Sequence, residues 1–141
     1  MDIHDGETSS ALLQRAFELS GPMLVRALRK LSDPEFTGIA QDESLVSHCK
    51  KMTKEDGQVD WEDTVLRILN QYRAYSPWPG SYTYLDARRV ALEEMTAGPA
   101  ELSGVEPTVV SCGRVWFDKQ TKSLFVRARD GWVKVSRVKP S

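Results

Sequence analysis

Ser76-Pro77-Trp78-Pro79-Gly80-Ser81-Tyr82-Thr83-Tyr84-Leu85-Asp86 is where the periodicity of the chain changes. Before it, Val65, Ile68, Leu69 and Tyr72 recur at i, i+3, i+4 and i+7, which predicts one apolar helix face starting after Asp60. Two prolines and a glycine then stop the helix and force a rigid turn. From Ser81 the period is two. Ser81–Asp86 and Arg88–Met95 read as strands joined by a tight turn at Asp86-Ala87, followed by a loop from Thr96 to Glu106. Pro107–Cys112, Arg114–Asp118, Ser123–Arg129 and Trp132–Val138 are further strand candidates rich in Val, Phe and Trp. Asp118–Lys122 and Asp130-Gly131 have hairpin-turn chemistry. Short strands and tight turns predict a small antiparallel barrel.

Upstream, Glu7-Thr8-Ser9-Ser10 offers capping side chains before Leu12, Leu13, Ala16, Leu19, Met23, Leu24, Ala27, Leu28 and Leu31. That stripe predicts an amphipathic helix, kinked or split at Gly21-Pro22. It needs a covering surface: the barrel, a partner chain, or a second copy. Residues 32–59 are polar and aperiodic and read as a linker. The expected fold is therefore α+β: a helix over 1–31, a linker over 32–59, then a helix and a small antiparallel barrel over 60–141.

The chain has 141 residues, enough for one domain or little more. No apolar run approaches the roughly 20 residues of a membrane span, so no membrane is expected. The acidic start, Met1–Glu7, has neither a signal-peptide nor a presequence pattern. Cys49 and Cys112 with His4 and His48 are too few for a structural metal site, and the cysteines read as free thiols, Cys112 as a small buried apolar group.

Charge is unevenly spread. Residues 1–63 carry seven basic and thirteen acidic side chains, whereas 107–141 carry eight basic and two acidic. A basic tail on a nearly neutral chain suits a polyanion, or is a solvated strand face. Strand alternation puts Leu124, Val126, Val133 and Val135 in the core, with Arg127, Arg129, Trp132 and Lys134 outward. Basic groups beside an exposed aromatic are how small barrels hold backbone-exposed nucleic acid. The alternative is a core Trp132 and merely solvated arginines. Arg73, in the last turn of its helix, serves either the helix dipole or a phosphate. Lys50, Lys51 and Lys54 in the linker are further phosphate candidates. Pro77, Trp78, Pro79 and Gly80 read as structural, the indole covering the barrel end and Gly80 supplying a backbone angle closed to other residues.

Val59-Asp60-Trp61, the helix, and then Arg73-Ala74-Tyr75-Ser76-Pro77-Trp78-Pro79-Gly80-Ser81 resemble the C-terminal part of methionyl-tRNA formyltransferases. That family has isoleucine-aspartate-tryptophan, a helix, and an Arg-Ala-Phe-Asn-Pro-Trp-Pro-Gly-Ala stretch. Here Val59, Tyr75 and Ser76 replace Ile, Phe and Asn. Glu7-Thr8 with the leucines after it is similar to the last helix of the family's catalytic domain. Gln41–Ser44 and Lys51–Gly57 are similar to its interdomain linker, and Leu124–Val133 to its mitochondrial branch.

The resemblance implies transfer of a formyl group from 10-formyltetrahydrofolate to initiator methionyl-tRNA, with an OB-like C-terminal barrel contacting the tRNA. The family's catalytic His-x-Ser-Leu-Leu-Pro stretch does not occur in this sequence, and Asn70 is the sole asparagine. The chain is expected to be a truncated isoform, a partial gene product or a separately encoded domain that lacks the catalytic domain, to have no catalytic residues and no cofactor site of its own, and to be inactive alone. Initiator tRNA is the expected partner, and mitochondrion or cytoplasm the expected compartment. The alternatives are the barrel of a formyltransferase relative acting on a folate or sugar nucleotide, and a non-catalytic interaction module.

Overall fold

The computed structural model describes residues 1–102, 110–119 and 121–140. They form two compact units, 1–52 and 53–141.

The first unit is built on helix α1, Ser9–Leu31. Thr8 caps it, its Oγ1 accepting from the Ala11 N–H. Ser32 closes it, its N–H donating to the Leu28 carbonyl, with Arg29 and Lys30 in the last turn where the dipole favours cations. Pro22 lies inside a single helix rather than between two. Arg15 ties down the residues before α1: its guanidinium donates to both Glu7 carboxylate oxygens at 2.8 and 2.9 Å and to the Asp2 carbonyl at 2.7 Å. His4 donates its N–H to Glu7 and holds Arg15 through Nε2, so it is a structural residue. These contacts, the His4 N–H first, lower the Glu7 carboxyl pKa. No residue of α1 is buried; Leu13, Met23, Leu24, Leu28 and Leu31 are all more than half exposed.

The second unit is a five-stranded antiparallel sheet with one helix. Strands β1 (Ser81–Leu85), β2 (Arg88–Ala97), β3 (Val115–Asp118), β4 (Ser123–Arg127) and β5 (Trp132–Pro140) are ordered β1-β2-β5-β4-β3. β1 and β2 meet in a two-residue turn with both central residues at positive φ, Asp86 at 48° and Ala87 at 63°. The β4–β5 connection is longer than the Asp130-Gly131 pair suggested. Arg127 faces Trp132, and the Ala128 N–H donates to the Gly131 carbonyl across a four-residue loop. Residues 107–109 of the expected strand lie outside the described residues, as does Gln120 of the expected hairpin turn; 110–112 are not strand.

β1 and β3 are the sheet's edges, yet Thr83 and Leu85 of β1 and Val115 of β3 line one apolar cavity of about 280 Å³. The sheet is thus curled into an open barrel. Residues 58–61 lie in the seam. The Val59 N–H donates to the Tyr82 carbonyl, Trp61 Nε1 donates to Thr83 Oγ1 at 3.0 Å, and the Trp61 ring packs beside Gly113. Val59 is only 4% exposed and joins the core. The segment read as linker therefore becomes part of the barrel unit from residue 53.

α2, Val65–Tyr75, closes one end, packing Val65, Ile68, Leu69 and Tyr72 against Leu92, Met95, Val126, Val133 and Val135. Its cap is Thr64, whose Oγ1 accepts from the Arg67 N–H; Asp60 instead caps the turn before it through the Glu62 N–H. Register shifts around Glu93 and Glu94 let both carboxylates reach Arg137, each at 3.0 Å. The same irregularity turns Val138, still 45% exposed, to the cavity side of the sheet with the buried Val133 and Val135, breaking strict alternation along β5.

Candidate nucleic-acid interface

The expected core is present: Val126, Val133 and Val135 are buried and Leu124 packs beside them. The expected outer face differs at one residue. Trp132 is 2% exposed, and Phe125 on the same face is also buried. The chain leaving β2 runs beside them, the Gly98 N–H donating to the Trp132 carbonyl at 2.7 Å and the Gly98 backbone coming within reach of the Phe125 ring. A covered indole cannot stack on a base, so Trp132 is corrected from contact residue to support. What it supports is Arg127, whose guanidinium lies 5.6 Å from the ring centroid, a cation–π geometry.

Within the second unit the remaining candidates do not form one cluster. Arg127 and Lys134 share a sheet face, Lys134 opposite Phe125 and Arg127 opposite Trp132. Arg129 is exposed in the β4–β5 loop, its N–H held by the Asp63 carbonyl. Arg73 is eight residues along α2 from Val65, roughly 12 Å at 1.5 Å per residue, and its guanidinium donates to Asn70 Oδ1. Lys50 and Lys51 are exposed in the first unit. Arg137 is spent on Glu93 and Glu94, so the basic tail presents less free charge than its composition implies.

Gly80 adopts φ +78°, as expected, after cis bonds at Ser76-Pro77 and Trp78-Pro79. Its carbonyl meets the backbone of Gly57, which has no room for a side chain. Trp78 is 53% exposed and does not cover the barrel end. Cys112 is half-buried, not a core residue, and Cys49 is exposed. Burial first, then a hydrogen bond and repulsion from Glu62, raise the Cys112 thiol pKa. Among the described residues no group of three His, Cys, Asp or Glu side chains could hold a metal ion.

The sequence reading missed a second basic-aromatic cluster. The Arg89 guanidinium lies 4.0 Å from the Tyr82 ring centroid, and Tyr84 meets Tyr82 edge-on at 5.8 Å. The signal was available: an alternating Tyr-x-Tyr strand, a two-residue turn and then Arg88-Arg89 place Arg89 opposite Tyr84.

Residues 51–141 match the family model described as formyl transferase, C-terminal domain. The chain is 32% identical over 142 residues to the methionyl-tRNA formyltransferase of Sulfurimonas denitrificans, covering 99% of this chain and 42% of that protein. It is 35% identical over 129 residues to that of Nitratidesulfovibrio vulgaris, covering 86% and 39%. The chain thus spans less than half the length of these curated relatives. Among solved structures it is similar to HypX from Aquifex aeolicus, with a TM-score of 0.71 and 20% identity over 99% of this chain and 24% of that one, a likeness of fold.

Proposed function

The chain belongs to the formyl transferase C-terminal domain family, and from that premise we propose that it is the tRNA-holding part of a methionyl-tRNA formyltransferase. The observation that carries the proposal is Arg127. Its guanidinium is braced over a buried indole, on one face with Lys134 and next to the exposed Arg129. A braced guanidinium loses little rotamer freedom on meeting a phosphate and presents a fixed fork of donors. Such contacts give affinity and orientation with little base specificity. Formyl transfer needs a base and oxyanion donors around the reacting amine and carbonyl. This reading assigns those groups, and the formyl donor 10-formyltetrahydrofolate, to residues other than these. The similarity of Leu124–Val133 to the mitochondrial branch supports a mitochondrial site of action.

The test is a titration of labelled initiator tRNA with the full chain at several salt concentrations. Binding should weaken steeply as salt rises. An Arg127→Ala/Arg129→Ala variant should bind more weakly and with a shallower salt slope, by about 0.7–0.9 for each phosphate it no longer neutralises. Absence of binding at low salt, with the barrel folded, would defeat the reading.

A further inference from the structure

We infer that the β1–β2 hairpin carries a second RNA contact, in which an unpaired base stacks on Tyr84 and its phosphate meets Arg89. The inference rests on the tRNA reading and extends it to residues at the opposite end of the sheet's outer face.

Tyr82 is opposite Ala91, and Tyr84 opposite Arg89, so Tyr82, Tyr84 and Arg89 project to one side of the hairpin. Thr83, Val90 and Leu92 project to the other and line the barrel cavity. The three outward side chains touch. The Arg89 guanidinium lies over the buried Tyr82 ring, and Tyr84 packs edge-on against the same ring while remaining 53% exposed. Arg89 is thus held in place before any ligand arrives, with its Nε buried and without a hydrogen-bond partner. A fixed guanidinium beside an accessible ring is what a nucleotide requires: donors for the phosphate and a π-face for the base.

Charge gives the direction. Lys139 lies opposite Ala91, next to Arg89 on the same face, and Arg88 precedes Arg89. Asp86 in the turn is the nearest acid in sequence. The groove on the far side of Tyr84 holds Asp60 and Glu62, so phosphates are directed to the Arg89 side. β5 links this cluster to the first one. From Lys134 to Lys139 is five residues, roughly 17 Å at 3.3 Å per residue, a span for a few nucleotides of extended strand.

The experiment uses the full chain and two probes: labelled initiator tRNA and a labelled single-stranded oligoadenylate of about ten nucleotides. Tyr84→Leu should bind both at least about fivefold more weakly with an unchanged salt slope, because it removes a stacking face and no charge. Tyr84→Trp should restore binding. Arg89→Lys keeps the charge but loses the stack and the fork, and should weaken binding as well. Melting curves show that each variant is folded; should a Tyr84 variant misfold, Arg89→Lys decides. If tRNA binding depends on Arg127 and Arg129 but is indifferent to Tyr84 and Arg89, this contact falls and the tRNA reading stands. If only the oligonucleotide binds, and needs Tyr84, the tRNA reading falls and the contact stands. If neither probe binds, both fall.

Discussion

The Asp130 carboxylate accepts a hydrogen bond from the Val65 backbone N–H at 2.8 Å, joining the β4–β5 loop to the first turn of α2 across 65 residues of sequence. Thr64 satisfies the Arg67 N–H, and Asp130 satisfies a second orphan donor while placing negative charge at the helix's positive end. The neighbouring Gly131 makes the approach possible: a Cβ there would lie 3.2 Å from Val65 Cγ2. Asp130→Ala should therefore lower the stability of the barrel unit by about 1–2 kcal/mol, the usual cost of removing a cap. Asp130→Asn, which keeps an acceptor, should cost less. Urea unfolding of both variants checks the order; equal stability of Asp130→Ala and the parent would count against it.

Gly57 is the tightest position in the seam. A Cβ there would fall 2.1 Å from the Gly80 carbonyl oxygen, a backbone atom held in turn by the prolyl turn. Gly57→Ala should destabilise by at least the ~3 kcal/mol at the top of the usual overpacking range. Gly21 is the control. It lies in α1 with nothing within 4 Å, and Gly21→Ala should stabilise that helix by about 0.5–1 kcal/mol. Thermal unfolding of the two alanine variants should shift in opposite directions.

Ala87 sits at φ 63° in the β1–β2 turn, a conformation costing an L-residue about 1–2 kcal/mol and glycine nothing. Part of that gain is offset by the greater unfolded-state freedom of glycine. Ala87→Gly should therefore raise stability by up to about 1 kcal/mol. An unchanged or lower melting temperature would mean that the turn is not strained at Ala87.

Most of the fold is legible in the sequence because periodicity reports burial. Val65, Ile68, Leu69 and Tyr72 announce the packed face of α2, and the alternation through Leu124–Val126 and Val133–Val135 announces the core. The failures share a cause: local pattern carries no record of what distant chain does. Nothing in residues 53–59 shows that Val59 will pair with β1, because its partners lie more than 20 residues away. Alternation makes Trp132 a contact residue because it presumes that a sheet's second face is open, whereas Trp132 and Phe125 on that face are both buried. The register shift at Glu93-Glu94, which consumes Arg137, is equally invisible in composition. Of the candidate site, the Arg127–Lys134 face is present in the fold. Arg73, at the far end of α2, does not join it, since nearness in a charge plot is not nearness in space.

Cys112 should alkylate more slowly than Cys49. The nucleophile is the thiolate, and burial together with Glu62 disfavours the charged form of Cys112. A raised pKa means less thiolate at a given pH, so its rate should climb on moving to more alkaline buffer than an ordinary thiol needs. Mass-resolved alkylation across about pH 7–10, the range spanning an ordinary thiol's titration, reads both sites. Glu62→Gln should move the Cys112 profile back toward lower pH; an unmoved profile would leave burial as the whole cause.

Trp132 and Arg127 touch, yet their substitutions should separate. Trp132 is 2% exposed in the wall between β4, β5 and the chain at Gly98, so Trp132→Ala opens a large cavity and should cost about 3–5 kcal/mol of stability. Arg127 is half-buried and rests on the indole; Arg127→Ala removes one exposed cation–π interaction of about 0.5–1 kcal/mol and should leave the barrel folded. For RNA the order reverses in kind. Arg127→Ala should lower affinity and the salt slope together, because one phosphate is no longer neutralised. Trp132→Phe keeps a ring beneath the guanidinium and should lower affinity modestly with the slope unchanged, because Arg127 keeps its charge and loses only bracing. Urea melts and salt-dependent tRNA titrations on the same three variants resolve these effects. A fully stable Trp132→Phe protein that lacks the Arg127 increment of the slope would show that Arg127 needs the indole to reach its phosphate, whereas a severe loss of affinity with the slope unchanged would show that the indole meets the RNA directly, contrary to its burial.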